Sequence, residues 1–120
     1  MKTVLLADDE PEILDVLTYL FKQFKYEVIT FSDVIPVETV RELSPDVVIL
    51  DHNFEKKSGG ELCMEIKNHL ETARIPVVLF SSNEDLPRIA KASNADAYIE
   101  KPVDIETLLN TVRRVTMPEA

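Results

Sequence analysis

The chain has 120 residues, 45% hydrophobic and 29% charged, enough for one domain that buries about two-thirds of its unfolded surface without staples. Its 13 Lys and Arg against 22 Asp and Glu leave a net charge of −9, which argues against direct contact with nucleic acid or an anionic membrane. One cysteine, Cys63, excludes an internal disulfide, and no apolar run approaches the roughly 18 residues of a membrane span, so the sequence points to a cytoplasmic chain with a single domain over residues 1–120.

From the amino end, Thr3-Val4-Leu5-Leu6-Ala7 is an apolar run of strand length that gives onto Asp8-Asp9-Glu10, with no signal-peptide core ahead of it. Glu10-Pro11-Glu12 then supplies acidic residues and a first-turn proline, favoured where the first N–H groups of a helix lack partners. Ile13, Leu17, Leu20 and Phe24, flanked by Leu14 and Phe21, step by three and four residues and predict one inward stripe. Tyr26 to Phe31 reads as a second strand. Asp33 to Leu43 reads as a helix with Val37, Val40 and Leu43 inward, ended by Ser44-Pro45 because α geometry is disfavoured before proline.

Asp46-Val47-Val48-Ile49-Leu50 is a strand that delivers Asp51 at its carboxyl end. The loop His52 to Gly60 follows, and both glycines of the chain, Gly59 and Gly60, fall in it, placing backbone freedom for a tight turn beside Asp51. Leu62, Ile66 and Leu70 predict the inward face of a third helix. Ile75 to Phe80 is a fourth strand giving onto Ser81-Ser82-Asn83, side chains able to cap a short helix around Arg88 to Ser93, which Pro87 makes begin late or with an irregular first turn. Asn94 suits the left-handed cap after it, Ala97 to Ile99 is a short fifth strand giving onto Lys101-Pro102, and Asp104 opens a last helix with Ile105, Leu108, Val112 and Val115 inward.

Five β/α units imply an α/β fold, a three-layer doubly wound parallel sheet with helices on both faces, and ligands of such sheets bind beyond the carboxyl ends of the strands. The two common strand orders are dinucleotide-binding and flavodoxin-like. A dinucleotide would meet Asp8-Asp9-Glu10 here instead of a glycine-rich turn, and Lys56-Lys57-Ser58-Gly59-Gly60 has the wrong order for a P-loop. Asp8, Asp9 and Asp51 would crowd negative charge into one pocket, which a hard cation such as Mg²⁺ relieves while keeping waters for a phosphate to displace. Asp51 as a nucleophile would then form an acyl phosphate. Taken singly, each motif has a plainer reading: Asp8-Asp9-Glu10 and Ser81 as helix caps, Lys101 as a solvated lysine, Tyr98 as an edge-strand aromatic.

An acidic pair after strand one, an aspartate ending strand three, a serine after strand four and Lys-Pro after strand five together resemble the receiver domain of two-component response regulators, over essentially the whole chain. The resemblance implies a flavodoxin-like sheet of order 2-1-3-4-5. It implies that Asp51 accepts a phosphoryl group from a histidine kinase or histidine phosphotransfer protein. Mg²⁺ would be held directly by Asp9 and Asp51, through water by Asp8, and by the backbone carbonyl of Asn53. Ser81 and Lys101 would bind phosphoryl oxygens, with a cis peptide before Pro102. Ser81 moving inward would let Tyr98 turn in and reshape the surface of helix four, strand five and helix five for a downstream effector or a phosphorylation-dependent homodimer. Arg88, Lys91, Glu100, Glu106 and Arg113 would be polar contacts there. The chain would be no enzyme beyond its own Mg²⁺-dependent phosphorylation and dephosphorylation.

Phe54 and Glu55 depart from the Met or Leu and the Pro usual in that family, and Lys25 and Asn94 stand where glycine often ends a helix. Two rivals remain in view. A haloacid-dehalogenase-like phosphatase requires an aspartate two residues after its nucleophile, where Asn53 stands, and a phosphorylation-independent adaptor is opposed by the intact acid pair, Ser81 and Lys101. His52 and His69 lack partners at zinc spacing. With only Pro118-Glu119-Ala120 after residue 117, the sequence reads either as a stand-alone receiver or as an input domain excised from a larger regulator.

Overall fold

The computed structural model describes residues 1–102 and 104–117, so the closing Pro118-Glu119-Ala120 lies outside the described residues. Strands and helices alternate along them as β1 (Thr3–Ala7), α1 (Pro11–Gln23), β2 (Glu27–Phe31), α2 (Val37–Leu43), β3 (Val47–Leu50), α3 (Gly59–Asn68), β4 (Val77–Ser81), α4 (Leu86–Ser93), β5 (Ala97–Glu100) and α5 (Ile105–Thr116). The five strands pair in parallel in the order β2-β1-β3-β4-β5, the order the resemblance implies. β3 and β4 are buried at every position, as strands covered on both faces by helices must be.

Side chains alternate between the two faces and build two cores. Leu5, Val48, Leu50, Val77 and Leu79 pack with Val40, Leu62, Ile66 and Leu86 of α2, α3 and α4. Val4, Leu6, Val47, Ile49, Val78 and Phe80 pack with Leu17, Phe21, Leu108 and Val112 of α1 and α5. Ala7 is paired with Leu50, so Asp8 and Asp51 leave adjacent strands at the same level, at the point where the chain crosses from one side of β1 to the other.

Several boundaries differ from the sequence reading, each for a local reason. α1 ends at Gln23 and Lys25 takes a φ of 66°, so Phe24 is turned out and Phe21 fills the core instead. α2 starts at Val37 rather than Asp33 because Pro36 occupies its N-cap and keeps Ile35 out of α geometry. α3 stops at Asn68, which leaves Leu70 97% exposed instead of inward. β4 starts at Val77, since Pro76 has no N–H to give the ladder. α4 starts at Leu86 rather than late, with Pro87 in its first turn, where donors have no partners anyway, and its N-cap Asp85 makes no side-chain cap hydrogen bond. Ile105 is half-exposed and Leu109 is buried in its stead, while Asp104 accepts from Thr107 N at 2.7 Å and Asn94 adopts the left-handed cap, both as read from the sequence. Cys63 on α3 is buried with its thiol donating to Ser93 O at 3.4 Å; burial pushes its pKa up to about 11 against that bond. Among the described residues no helix is long and apolar enough to cross a membrane.

Candidate functional site

The sheet's carboxyl edge is held in register past the last paired residues. Asp8 N donates to Phe31 O at 3.1 Å and Asp51 N donates to Ala7 O at 2.9 Å, which fixes the two carboxylates side by side. Glu10 N donates to Asp8 Oδ1 at 2.9 Å, turning the chain from β1 into α1. On the far side, Gly59 N donates to His52 O at 2.9 Å and Gly60 N to His52 Nδ1 at 3.1 Å. Neither glycine has a positive φ, so the reason for Gly59 is different from the tight turn expected: a Cβ there would lie 1.9 Å from the Asp51 carbonyl oxygen. The start of α3 is pressed against the backbone of the aspartate.

Oxygens of Asp8, Asp9, Glu10 and Asp51 all fall within 4.8 Å of one another. Asp8 and Asp51 are buried while Asp9 and Glu10 face solvent. Burial raises the Asp8 pKa above 3.8, with the Lys101 contact opposing and the Asp51 charge adding to it. Asp9 is raised too, by desolvation first and then by the charge of Asp51. Asp8 Oδ2 is buried against Lys101 Nζ at 2.9 Å, an ion pair without well-aligned hydrogen-bond geometry among the described residues. Four converging carboxylates, whose negative charge one nearby ammonium only partly offsets, offer the oxygen ligands a hard divalent cation takes.

Lys101 enters from the end of β5, where its N–H donates to Ser81 O at 3.0 Å and its peptide to Pro102 is cis. Its side chain is only 10% exposed and runs over the ring of Phe80, with Nζ 5.1 Å from the centroid. Nζ lies 2.9 Å from Asp8 Oδ2, 2.9 Å from Glu10 Oε1 and 3.5 Å from Asp51 Oδ2. Burial would lower its pKa, but the contacts with Glu10 and Asp8 and the charge of Asp51 outweigh that and raise it. The ammonium is thus held as a cation inside the acidic cluster.

Ser81, fully buried at the end of β4, accepts from Asn53 Nδ2 at 3.3 Å and from Asn83 N at 3.2 Å. A hydroxyl has two acceptor sites and one donor, so its proton is left to give. Ser81 therefore does not cap α4, whose entry is made by Asn83 Oδ1 accepting from Asp85 N at 2.9 Å. Asn53 N donates to Asp51 Oδ1 at 3.3 Å, folding the loop back over the carboxylate.

Tyr98 is half-exposed on β5, beside a groove of about 330 Å³ lined also by Pro87, Lys91 and Arg114. Arg113, expected on that face, instead lies over the Phe24 ring at 5.9 Å, and Glu106 lines the same α1 side, because one helical step of about 100° separates Arg113 from Arg114. Arg88 pairs with Asp85 at 2.9 Å; Lys91 and Glu100 are exposed. Two contributors were missed in the sequence. Glu10 looked like a helix cap but its side chain reaches Lys101, and Phe80 looked like a strand core residue but floors the lysine; only their adjacency to Asp9 and Ser81 could have flagged them.

The family model for the response regulator receiver domain matches residues 4–113. The chain is 30% identical over 116 residues to the DNA-binding dual master transcriptional regulator RpaA of Synechocystis, covering 94% of this chain and 48% of that one, so it spans about half the length of that relative. It is 29% identical to protein PilH of Pseudomonas aeruginosa, covering 96% of this chain and 98% of PilH. Among solved structures, the response regulator TrrA of Thermotoga maritima in complex with Mg²⁺ and BeF superposes with a TM-score of 0.80 at 26% identity, over 96% of this chain and 99% of that one.

Proposed function

The chain belongs to the response regulator receiver domain family, and from that premise we propose that Asp51 is its phosphoacceptor and that the donor is a phosphohistidine on a kinase or phosphotransfer protein. An Asp51 carboxylate oxygen attacks phosphorus, the bond from phosphorus to the donor imidazole nitrogen breaks, the imidazole keeps the electron pair and takes up a proton, and an acyl phosphate remains. The observation that carries this reading is the meeting of Lys101 Nζ with Asp8 at 2.9 Å and Asp51 at 3.5 Å, in a pocket that Ser81 also borders.

Asp8, Asp9 and Asp51, with the backbone carbonyl of Asn53, would hold Mg²⁺, which when bound neutralises charge on the phosphoryl oxygens. Similarity to the TrrA complex with Mg²⁺ and BeF supports that choice of ion. Lys101 supplies a second fixed positive charge for those oxygens. Ser81, whose proton the two bonds it accepts leave free, gives that proton to another by moving toward the phosphoryl group. That displacement vacates space behind β4, and Tyr98, now half-exposed, turns toward it. The readout is a changed surface over α4, β5 and α5, offered to a downstream effector or to a second phosphorylated copy, within the cytoplasm. The chain turns over no separate substrate.

Acetyl phosphate with Mg²⁺, followed by intact-mass analysis, tests this. A gain of one phosphate that Asp51→Asn abolishes is expected. Catalytic turnover of small phosphoesters, or no adduct at all, would sink the reading in favour of a phosphatase or an adaptor.

A further inference from the structure

Three carboxylates face Lys101 Nζ, and they do not hold it equally. The contact with Glu10 Oε1 at 2.9 Å has hydrogen-bond geometry. That with Asp8 Oδ2 is as short and is a buried ion pair, less well aligned as a hydrogen bond, and Asp51 Oδ2 stands off at 3.5 Å. One of the two close grips on the ammonium therefore comes from the half-exposed Glu10, at the open side of the pocket.

Glu10 is built to hold and to let go. Its backbone is fixed, with N–H donating to Asp8 Oδ1 at 2.9 Å and carbonyl accepting from Leu14 N at 3.2 Å as the N-cap of α1. Its side chain is 54% exposed, so the carboxylate can swing into water at little cost, which the buried Asp8 cannot do. Capping does not explain the side chain either, since it makes no cap hydrogen bond.

We infer that Glu10 is a positioning residue that competes with an incoming phosphoryl group for Lys101, so that its hydrogen bond to Nζ must be given up as the lysine engages that group. This rests on the receiver reading and adds a regulator to the same site. Glu10 then sets how tightly the phosphorylated state is held, through competition for one cation. Because the pair is half open to water, the competition is modest, equivalent to about two- to fivefold in affinity.

The test is a titration of the full chain with beryllofluoride at saturating Mg²⁺, followed by ¹⁹F NMR, for the wild type, Glu10→Gln and Glu10→Asp. The Gln variant removes the charge; the Asp variant keeps the charge but is one methylene too short to hold Nζ. Tighter binding by about two- to fivefold in both is expected, since both remove the Glu10 competitor for the lysine. Tightening in Gln alone would mean that Glu10 acts as a bare repelling charge, and unchanged or weaker binding in both would mean that it does not compete; either overturns the inference. Wild-type binding that is absent, or indifferent to Asp51→Asn, would instead overturn the receiver reading itself.

Discussion

A methyl group on residue 59 has nowhere to go. It would lie 1.9 Å from the Asp51 carbonyl oxygen, a backbone atom that cannot move without disturbing β3. Gly59→Ala is expected to destabilise by about 2–4 kcal/mol in urea denaturation, through overpacking that pushes α3 off the strand end. Asp9→Asn should do the opposite. Its carboxylate is disfavoured by desolvation and by Asp51, so its neutralisation in the metal-free chain is expected to raise the thermal midpoint slightly, solvent screening keeping the gain small, while the further rise expected from Mg²⁺ in the wild type is lost. A midpoint lowered by Asp9→Asn without metal would count against a pocket strained by its own charge. At this scale the sequence was informative about identity and poor about cause. Asp51, Ser81 and Lys101 could be read from their places after apolar runs, but the need for Gly59 comes from a contact between segments that no local pattern encodes, and so does the reach of Glu10 across to Lys101.

Elements were legible where burial dictated composition. β3 and β4 are covered on both faces and are apolar throughout apart from the Ser81 that closes β4, so their existence follows from the sequence. Helix ends were harder, because an apolar residue one step past the last turn looks the same in sequence as one inside it. Phe24 and Leu70 continue the stripes of α1 and α3 on paper, yet the chain has already left the helix at both places. Lys25 shows the cost of one such exit. It holds a φ of 66° as α1 gives way to β2, a conformation that a Cβ penalises and glycine does not. Lys25→Gly is expected to stabilise the protein by about 0.5–1 kcal/mol, read as a higher urea midpoint with an unchanged slope. A loss of stability would show that the lysine side chain contributes more than its backbone strain takes away.

Across the whole molecule, a net charge of −9 is gathered most densely at one edge of the sheet, and stability should follow pH accordingly. Asp8 and Asp9 both have folded pKa values above the ordinary 3.8, so the folded chain binds these protons better than the unfolded one. Their contribution favours folding below about that value and is lost as pH rises through their folded values. Mg²⁺ should cancel that loss, and its effect on the thermal midpoint is expected to be larger near about pH 7 than near about pH 4, where protons compete for the same oxygens. A metal effect independent of pH would place the ion elsewhere. Cys63 makes such events countable. Its thiol sits under α3 with ionisation pushed to about 11, so a sulfhydryl reagent in neutral buffer reaches it only in molecules that have momentarily come apart. The chain carries its own stopwatch: each modified thiol records one opening, and whatever grips the far acidic edge will make it tick more slowly.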